Sequence, residues 1–406
     1  MQTQLADFIR DTPEGAEADA ILRKCVHCGF CTATCPTYQL LGDDLDGPRG
    51  RIYLIKRALE GAPVTEKTRL HLDRCLTCRA CETTCPSGVR YGRLVDIGRA
   101  VVEERTLRAP WDRIKRAALS FALPRTALFS FALGLGRLAR PLLPAPLKRT
   151  IPEKAKPAGC WPPARHARKM LALAGCVQPA LAPSINAAAA RMLDRAGISL
   201  VEVKGAGCCG ALRFHLNKQE AGRDDMRALI DAWWPMVERG EAEAIVMTAS
   251  GCGVTVKDYA HLLAHDPAYR DKAARISSMA KDLSEVLPPE AMPQRPMMKT
   301  RVAFQSPCSL QHGQQIRGKA EALLARAGYE LVPVEDGHLC CGSAGTYSLL
   351  QPALSAELRT RKLAGLHKAA PQAIATANIG CLAHLQGATD TPVRHWIELL
   401  DEAFAP

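Results

Sequence analysis

The feature that most limits how this chain can fold is a run of four cysteines that occurs twice near the N-terminus. The first run reads Cys25-Val-His-Cys28-Gly-Phe-Cys31-Thr-Ala-Thr-Cys35-Pro36, which has the spacing C-x2-C-x2-C-x3-C-P. The second run repeats this spacing with Cys75, Cys78, Cys81 and Cys85. Such short, fixed steps bring several thiols close together, so the backbone is expected to wrap around bound groups.

This spacing is typical of a chain that binds two [4Fe–4S] clusters. Three cysteines at three-residue steps bind three corners of a cube, and the fourth, before a proline, reaches the neighbouring cluster. We therefore expect each cluster to take three ligands from one run and its fourth from the other. The predicted ligands of the first cluster are Cys25, Cys28, Cys31 and Cys85. The predicted ligands of the second cluster are Cys75, Cys78, Cys81 and Cys35.

The cysteine count bears on the compartment and on the choice of metal. The chain has seventeen cysteines, and its first twenty residues are polar and acidic. We expect no secretory signal and a cytoplasmic location, where clustered cysteines bind metals more often than they form disulfides. Structural zinc is the alternative, but zinc sites use paired C-x2-C knuckles with four ligands for each ion. The third cysteine at the same step and the Cys-Pro ending favour iron–sulfur clusters.

The segment between the two runs carries two arginines of interest. Residues 51–60 place apolar side chains on one helical face, which predicts a helix that stops near Gly61. Arg49 and Arg51 lie in the sequence Gly-Pro-Arg-Gly-Arg. Two interpretations stay open: they neutralise an anionic cluster or an acidic partner, or they form a solvated basic turn.

The net charge of +12 comes from a single segment. From Arg105 to Lys169 there are fifteen Lys or Arg against Asp112 and Glu153, a local charge of +13. Its many prolines predict short helices and extended pieces. Aromatic residues make up only 5% of the chain, and no helix-turn-helix or finger pattern accompanies the basic segment. Nucleic acid is therefore not an expected partner.

The C-terminal part of the chain contains an internal repeat. Three apolar strand patterns alternate with helical patterns in each copy, and matching positions are 129 to 132 residues apart. The predicted strands are 170–174, 198–203 and 244–249 in the first copy, and 301–305, 329–334 and 372–378 in the second. This alternation predicts parallel sheets with functional loops at the carboxyl ends of the strands.

A cysteine or a Cys-Cys pair follows each predicted strand. The first set is Cys176, Cys208, Cys209 and Cys252, and the second set is Cys308, Cys340, Cys341 and Cys381. Adjacent cysteines face one point only where the backbone turns sharply, which Gly210 and Gly342 permit. The duplicated sets predict a metal or redox site in each copy, with buried structural cysteines as the alternative. The lone Cys160 is interpreted as a bystander.

Together these patterns predict an α+β protein. Residues 1–105 are expected to form an α-helical ferredoxin-type domain with both clusters, and residues 106–168 a basic, proline-rich connector. Residues 169–299 and 300–406 are expected to form the two copies of a duplicated α/β Cys-Cys-Gly domain with parallel sheets.

The order of these motifs resembles a known family. Ferredoxin-type runs followed by duplicated Cys-Cys-Gly domains are similar to the iron–sulfur subunits of flavin-linked hydroxyacid and glycerol-3-phosphate dehydrogenases. The Cys-Cys-Gly domains also resemble those of heterodisulfide reductase. Residues 25–38, 46–56 and 71–91 look most like the iron–sulfur subunits of bacterial glycolate oxidases. The resemblance runs nearly end to end and is weakest in the connector.

This resemblance implies an electron-transfer subunit that is not a catalyst by itself and has no catalytic residues of its own. Flavoprotein subunits of the same complex would oxidise glycolate to glyoxylate. This chain would pass the electrons through its clusters to a quinone or another membrane acceptor. The basic connector would contact the inner face of the cell membrane or an acidic partner, with an ordinary linker as the alternative.

Some alternatives stay open. Sibling subunits serve lactate or glycerol 3-phosphate dehydrogenases, and a heterodisulfide-reductase-like enzyme would use the Cys-Cys-Gly site itself. The heterodisulfide reductase type ends each repeat in C-x-x-C, whereas Thr255 and His384 stand at the position of that last cysteine here. A further iron–sulfur cluster on the four-cysteine sets is therefore a hypothesis, with His384 as a candidate replacement ligand.

Overall fold

The computed structural model of the chain describes residues 1–144, 148, 151, 152 and 155–405. The rest of the predicted connector, residues 145–147, 149, 150, 153 and 154, lies outside the described residues. The chain divides into two compact units. The first contains Met1–Ala117 and His338–Leu358, and the second contains Ala118–Gly337 and Arg359–Pro406. The domain boundaries expected from the sequence stay a prediction.

The first unit is helical. Its helices are Asp7–Arg10, Pro13–Lys24, Pro36–Leu41, Pro48–Leu59, Glu66–Asp73, Ala80–Thr84, Tyr91–Arg105, the start of Pro110–Ala122, Tyr347–Leu350 and the start of Pro352–His367. Tyr91–Arg105 lies at the centre and packs against four of the others, because its buried side chains occupy most of its circumference. Leu22, Ile55, Leu72 and Leu94 are fully or almost fully buried in the shared apolar core.

Local sequence explains where these helices start and how closely they pack. Thr12 accepts a hydrogen bond from the Gly15 amide, and Pro13 occupies the first turn, so the helix Pro13–Lys24 begins there. Gly98 allows the central helix to approach Pro48–Leu59, because a Cβ at this position would lie 2.5 Å from Ile55. The predicted helix between the two cysteine runs is confirmed, and it begins three residues earlier than expected.

The second unit contains two four-stranded parallel sheets. The first sheet has the order β2-β1-β3-β4 and the second has the order β6-β5-β7-β8, where the strands are β1 Arg168–Ala172, β2 Ile198–Glu202, β3 Ala244–Met247, β4 Ala280–Asp282, β5 Arg301–Gln305, β6 Glu330–Val332, β7 Ala373–Thr376 and β8 Val393–His395. All neighbouring strands pair in parallel. The identical order confirms the predicted duplication, and the α+β fold with parallel sheets is confirmed.

The second unit also contains helices, and several of them pack on these sheets. The helices of this unit are Thr126–Ala139, Gln178–Leu181, Ser184–Arg195, Ala211–His215, Gln219–Glu238, Ser250–Lys257, Tyr259–Leu262, Arg270–Met279, Leu283–Val286, Lys319–Arg326, Ile379–Gln386, Trp396–Ala403 and the end of Pro352–His367. Ser184–Arg195 of the first copy packs against Trp396–Ala403 of the second, and an ion pair of 2.7 Å joins Arg191 to Asp401. The two copies share one apolar core that includes the buried Trp396.

Candidate iron–sulfur centres

The four cysteines of the first predicted cluster lie around one cavity in the first unit. The cavity is lined by Cys25, Cys28, Cys31 and Cys85, together with Cys81 of the other set. Burial raises the pKa of Cys31 to about 11, and the nearby thiols of Cys25 and Cys85 contribute to this rise. Val26 and Phe30, at the rim, are 69% and 61% exposed. This site is therefore close to the protein surface.

The four cysteines of the second predicted cluster also lie together. Burial raises the pKa of the Cys81 thiol well above its usual value, and the neighbouring thiols raise it further; they are Cys78, Cys75 and Cys35. Cys35 thus lies with the second run, and Cys85 with the first. The structure places the cysteines in the crossed arrangement that the spacing predicts. Their role as cluster ligands stays a prediction.

The backbone of the two runs has the same unusual shape. His27 and Thr77 occupy the same slot and have φ angles of 56° and 51°, and Gly29 and Arg79 at the next matching slot have 85° and 60°. Positive φ angles are energetically unfavourable for non-glycine residues, and repeated backbone strain of this kind is typical of functional sites. At Thr77 the turn directs the backbone N–H to the Sγ atom of Cys75 at 3.4 Å.

The donor sets fit two iron–sulfur clusters. Four thiols crowded at one poorly hydrated point cannot all ionise unless a cationic group balances them. An iron–sulfur core binds four thiolates, and amide N–H groups directed at sulfur stabilise it. Both sets meet these requirements.

Arg49 and Arg51, which the sequence analysis could not tell apart, have different environments in the structure. Both lie in the helix Pro48–Leu59 rather than in a turn. The Arg49 side chain is 39% exposed and forms an ion pair of 2.9 Å with Asp44. Arg51 is 1% exposed, and its neighbours include the thiols of Cys75 and Cys35. The solvated interpretation therefore fits Arg49, and the cluster-neutralising interpretation fits Arg51.

Arg51 belongs to a buried polar network. The fully buried Asp46 accepts hydrogen bonds from Arg51 at 3.4 Å and from Arg74 at 2.7 Å, and it lies 3.1 Å from Nδ1 of His71. Asp43, Asp46 and His71 are close enough to bind one cation. The two guanidinium groups already balance the Asp46 carboxylate, so the network is explained without a metal.

The first Cys-Cys-Gly set is assembled within the second unit. Its members follow β1, follow β2 and occupy the helix after β3: Cys176, Cys208, Cys209 and Cys252. The Cys208 thiol is within hydrogen-bonding reach of Cys176 and Cys209, and Cys209 is within reach of Cys252. Hydrogen bonds from Cys176 and Cys209 lower the pKa of Cys208 to about 3.

The turn after the Cys-Cys pair requires glycine. Gly210 has a φ angle of +83°, and a Cβ at this position would lie 2.4 Å from the carbonyl oxygen of Gly222. Behind the pair, the buried Tyr259 hydroxyl donates to the Cys209 carbonyl at 2.8 Å. Beside it, Arg213 forms an ion pair of 2.6 Å with Asp225. Tyr259 and Asp225 were not predicted, because both follow the pair in the chain at no recognisable spacing.

The second Cys-Cys-Gly set is divided between the two units. Cys340 and Cys341 are buried in the first unit, and Cys308 and Cys381 belong to the second. Gly342 repeats the strained turn with a φ angle of +89°. Asn378 donates to the Cys381 Sγ atom at 3.5 Å. The ligand role of this set, and of His384, stays a prediction.

An apolar helix follows the first unit in the chain. In Thr126–Ala139 and the turn after it, Phe131, Leu135, Leu138 and Leu142 are 52–89% exposed. Within the described ranges, no single helix has both the length and the apolar character of a membrane span. Among the helices that the structure describes, the consecutive pair Pro110–Ala122 and Thr126–Leu142 reaches that length and character together, with a sharp bend between the two helices.

Known protein families match both parts of the chain. A family described as a 4Fe-4S dicluster domain matches residues 21–89. A family described as a cysteine-rich domain matches twice, at residues 170–257 and 302–386. These matches contain all sixteen cysteines of the four predicted sets, and Cys160 lies outside them.

Relatives that match nearly the whole chain show which family combines these two kinds of domain. The chain is 54% identical, over 99% of both chains, to the glycolate oxidase iron-sulfur subunit of Escherichia coli K12. It belongs to the family of glycolate oxidase iron–sulfur subunits. A probable glycolate oxidase iron-sulfur subunit of Bacillus subtilis is 29% identical over 90% of this chain and 88% of its own length. Lactate utilization protein A of Exiguobacterium is 24% identical, over 56% of this chain and 94% of its own length.

Membership of the glycolate oxidase iron–sulfur subunit family establishes the general role. The chain is a member of an oxidoreductase complex that transfers electrons, and it carries two [4Fe–4S] clusters. The family match therefore confirms the cofactor that the cysteine spacing predicts.

Proposed function

We propose that the chain is the iron–sulfur electron-transfer subunit of a flavin-dependent glycolate dehydrogenase complex. The observation that carries the proposal is the crossed pairing of the cysteine runs, in which Cys85 lies with the first and Cys35 with the second. The E. coli relative, named as a subunit of glycolate oxidase, supports glycolate as the substrate of the complex.

The proposed ligands of the first cluster are Cys25, Cys28, Cys31 and Cys85, and those of the second are Cys75, Cys78, Cys81 and Cys35. When bound, the clusters supply one-electron transfer, which no side chain of the site provides by itself. The chain's own residues position the thiolates and shield them. Cys25, Cys75 and Cys81 belong to the apolar core of the unit, which keeps water from one side of each set.

The partners follow from this role. Glycolate oxidation releases an electron pair, so we propose flavoprotein subunits that accept the pair and deliver single electrons to this chain. Cys28 and the apolar rim beside it are exposed, which suits contact with a partner protein. The sequence has no glycine-rich dinucleotide loop, which supports a chain that is not catalytic by itself. A quinone or another membrane acceptor would receive the electrons.

The test is co-expression of the chain with the flavoprotein subunits and measurement of glycolate-dependent reduction of a quinone analogue. In Cys78→Ser we expect glycolate to bleach the flavin as before, while quinone reduction falls at least a hundredfold. Cys160→Ser, at an exposed cysteine outside the sets, is the matched control and should retain full activity. Lactate and glycerol 3-phosphate are assayed in parallel to separate the sibling functions.

Two outcomes would contradict this proposal. One is quinone reduction of normal rate by the flavoprotein subunits without this chain. The other is activity with lactate or glycerol 3-phosphate but not with glycolate.

We also propose a further iron–sulfur cluster on the first Cys-Cys-Gly set. Three observations support it: the thiols are within hydrogen-bonding reach of one another, they lie at the carboxyl ends of parallel strands, and a glycine turn directs the adjacent pair to one point. We extend the proposal to the second set, because the two copies have the same strand order.

Iron and sulfide content of the anaerobically purified chain tests this extension. About twelve or more irons per chain would support clusters in the Cys-Cys-Gly domains, and Cys252→Ser should then lose about four. About eight irons, unchanged in Cys252→Ser, would reject it. Disulfide reduction by the isolated chain is measured alongside, because activity there would favour the reductase alternative.

A peripheral contact with the cell membrane is the last part of the proposal. Phe131, Leu135 and Leu138 form an exposed apolar stripe at helical spacing, and Arg125 and Arg137 flank it. Apolar stripes with basic borders bind anionic lipid surfaces. Such a contact would keep the chain at the cytoplasmic face, near a lipid-soluble acceptor.

Flotation with lipid vesicles tests this contact. We expect the chain to float with vesicles that contain anionic lipid and to remain below with purely zwitterionic ones. Replacing Phe131 and Leu138 with serine should abolish flotation. Met297→Ser, at an 82% exposed position, is the matched control. Equal flotation of all three proteins, or of none, would reject the membrane contact.

A further inference from the structure

A buried positive charge lies beside the second cysteine set. The Arg51 guanidinium donates from Nε to the His71 carbonyl at 2.7 Å and from Nη1 to Oγ1 of Thr37 at 3.1 Å. The Thr37 hydroxyl lies 3.3 Å from the Sγ atom of Cys35. A single hydroxyl group therefore separates the charge from a proposed cluster ligand. Cys75, another proposed ligand, is also among the closest groups.

The protein itself does not fully balance this charge. Asp46 is the carboxylate that Arg51 contacts, at 3.4 Å, and the same carboxylate also pairs with Arg74 at 2.7 Å. Two guanidinium groups thus share one carboxylate. Burying a charge is costly unless an anion lies nearby. An oxidised [4Fe–4S] core with four thiolates is a dianion, and reduction adds one more negative charge, so the cluster supplies the missing anion.

The charges near the first cysteine set are accessible to solvent. Arg49 lines the cavity, but its side chain is 39% exposed and paired with Asp44. The partly exposed amino group of Met1 donates to the Cys25 carbonyl at 2.9 Å. Water and salt screen such charges strongly, whereas a buried charge such as Arg51 is screened much less.

A hydrogen bond adds to this difference. The Tyr91 hydroxyl, on a side chain that is 4% exposed, donates to the Sγ atom of Cys75 at 3.6 Å. Hydrogen bonds to the sulfurs, local charge and solvent exposure are the terms that set the potential of an iron–sulfur cluster. Positive charge and donors both favour the reduced, more negative form.

We propose that Arg51 makes the cluster on the second cysteine set the more easily reduced of the two, so that an electron in the first unit rests there. The inference rests on the ligand sets proposed above. In the step itself, one electron leaves the reduced first cluster and enters the oxidised second cluster. No bond breaks and no proton moves.

The proposed resting place lies near the segment that contains the second Cys-Cys pair. Tyr347, in the segment His338–Leu358, is 6% exposed, and Cys75 and Cys340 are both among its close neighbours. Its hydroxyl has no hydrogen-bond partner among the described residues. An electron on the second cluster would therefore be close to Cys340.

Redox titration followed by EPR on the full, anaerobically purified chain tests the proposal. We compare the natural chain with Arg51→Met, Arg51→Lys and the control Arg49→Met. A water-soluble dysprosium chelate broadens the signal of the surface-exposed first cluster and so assigns the two signals. In Arg51→Met we expect the equilibrium that distributes one electron between the two clusters to move at least tenfold toward the first cluster. This corresponds to a change of about 59 mV in the difference between their reduction potentials. Arg51→Lys and Arg49→Met should each change it less than threefold.

A second variant protects the test against a folding failure. Asp46→Asn removes the shared carboxylate and should move the equilibrium in the opposite direction, toward the second cluster. Unchanged potentials in Arg51→Met and Asp46→Asn, or equal shifts of both clusters, would overturn the role of Arg51. Iron content distinguishes a failure of the proposed role of Arg51 from a failure of the proposed ligand sets, because fewer than eight irons in the natural chain would count against the ligand sets.

Discussion

Arg108 connects three acidic side chains in the first unit, and its removal should be costly. The guanidinium, whose side chain is 4% exposed, forms ion pairs with Asp73 at 2.7 Å, Glu103 at 2.6 Å and Asp112 at 3.0 Å. Burial disfavours the charged form of Asp73, but the hydrogen bonds and charge of Arg108 keep the pKa of that carboxyl below its usual range. We expect Arg108→Met to leave this carboxylate without its main partner.

The size of the effect follows from burial. Removing one partner of a buried ion pair costs about 3–5 kcal/mol. Arg116 stays 3.3 Å from Asp73 and offsets part of the stranded charge, so we expect about 3 kcal/mol. With a urea dependence of about 1–3 kcal/mol per molar, the midpoint of unfolding should fall by roughly 1–3 M.

The assay is urea unfolding of the anaerobic protein after a fixed incubation, followed by the visible absorbance of the clusters. Arg10→Met is the matched control, because its partner Asp7 is 92% exposed and the pair should contribute less than about 0.5 kcal/mol. Adding Asp73→Asn to Arg108→Met should recover at least about 1 kcal/mol, since it removes the unpaired carboxylate. The loss should also shrink as the pH falls through the lowered pKa of Asp73, because a protonated carboxyl no longer needs Arg108.

Two results would refute this reasoning. One is an Arg108→Met midpoint indistinguishable from that of the control variant. The other is a double variant that is less stable than Arg108→Met itself.

Three further predictions concern single positions. Burial raises the pKa of Asp282 to about 6, so the contribution of its carboxyl group to stability is present below the unfolded pKa near 3.8 and is lost as the pH rises through 6. Asp282→Asn should therefore be more stable than the natural chain at pH 7.5, by up to about 3 kcal/mol. Urea midpoints that are the same at pH 5 and pH 7.5 in both proteins would contradict this prediction. Gly210→Ala should lower the free energy of unfolding by about 2–4 kcal/mol, because the added Cβ would lie against the carbonyl oxygen of Gly222. Gly240→Ala, where the added Cβ has open space, should lower it by about 1 kcal/mol. Equal losses in urea unfolding would be evidence against the close approach of Gly210 to Gly222. Gly98→Ala should destabilise the first unit by about 1–3 kcal/mol, while Gly134→Ala, at a helical position with open space around the added Cβ, should be neutral or stabilising by up to about 1 kcal/mol. The same thermal shift in both variants would show that the helices Pro48–Leu59 and Tyr91–Arg105 do not pack closely.

Local patterns were sufficient for most of the fold. Predicted strand 301–305 matches β5, and the other five predicted strands overlap the observed ones with ends that differ by at most two residues. The short strands β4 and β8 escaped prediction. Each has only three residues with charged or polar side chains among them, so only pairing with β3 and β7 makes them strands.

The environment of the candidate sites was harder to predict. Arg49 and Arg51 are two residues apart in one helix, and sequence alone does not say which of them faces the core. Tyr347 follows Cys75 by more than 270 residues, and no spacing rule connects positions so far apart. The spacing of the cysteines along the chain is enough to predict which thiols lie together. The contacts that surrounding residues make with these thiols depend on how distant segments of the chain pack.

The membership of His338–Leu358 in the first unit affects how the protein is made. All eight cysteines of the ferredoxin-type runs have been synthesised by residue 85, but the segment that packs near Cys75 follows some 250 residues later. At about 5–20 residues per second, the nascent chain spends roughly 10–50 s with these thiols present and Tyr347 still missing. Oxidation or capture of the wrong metal is a hazard during that interval. Early cluster insertion would remove it, so we expect the yield of intact protein to depend on the supply of clusters during translation rather than after it.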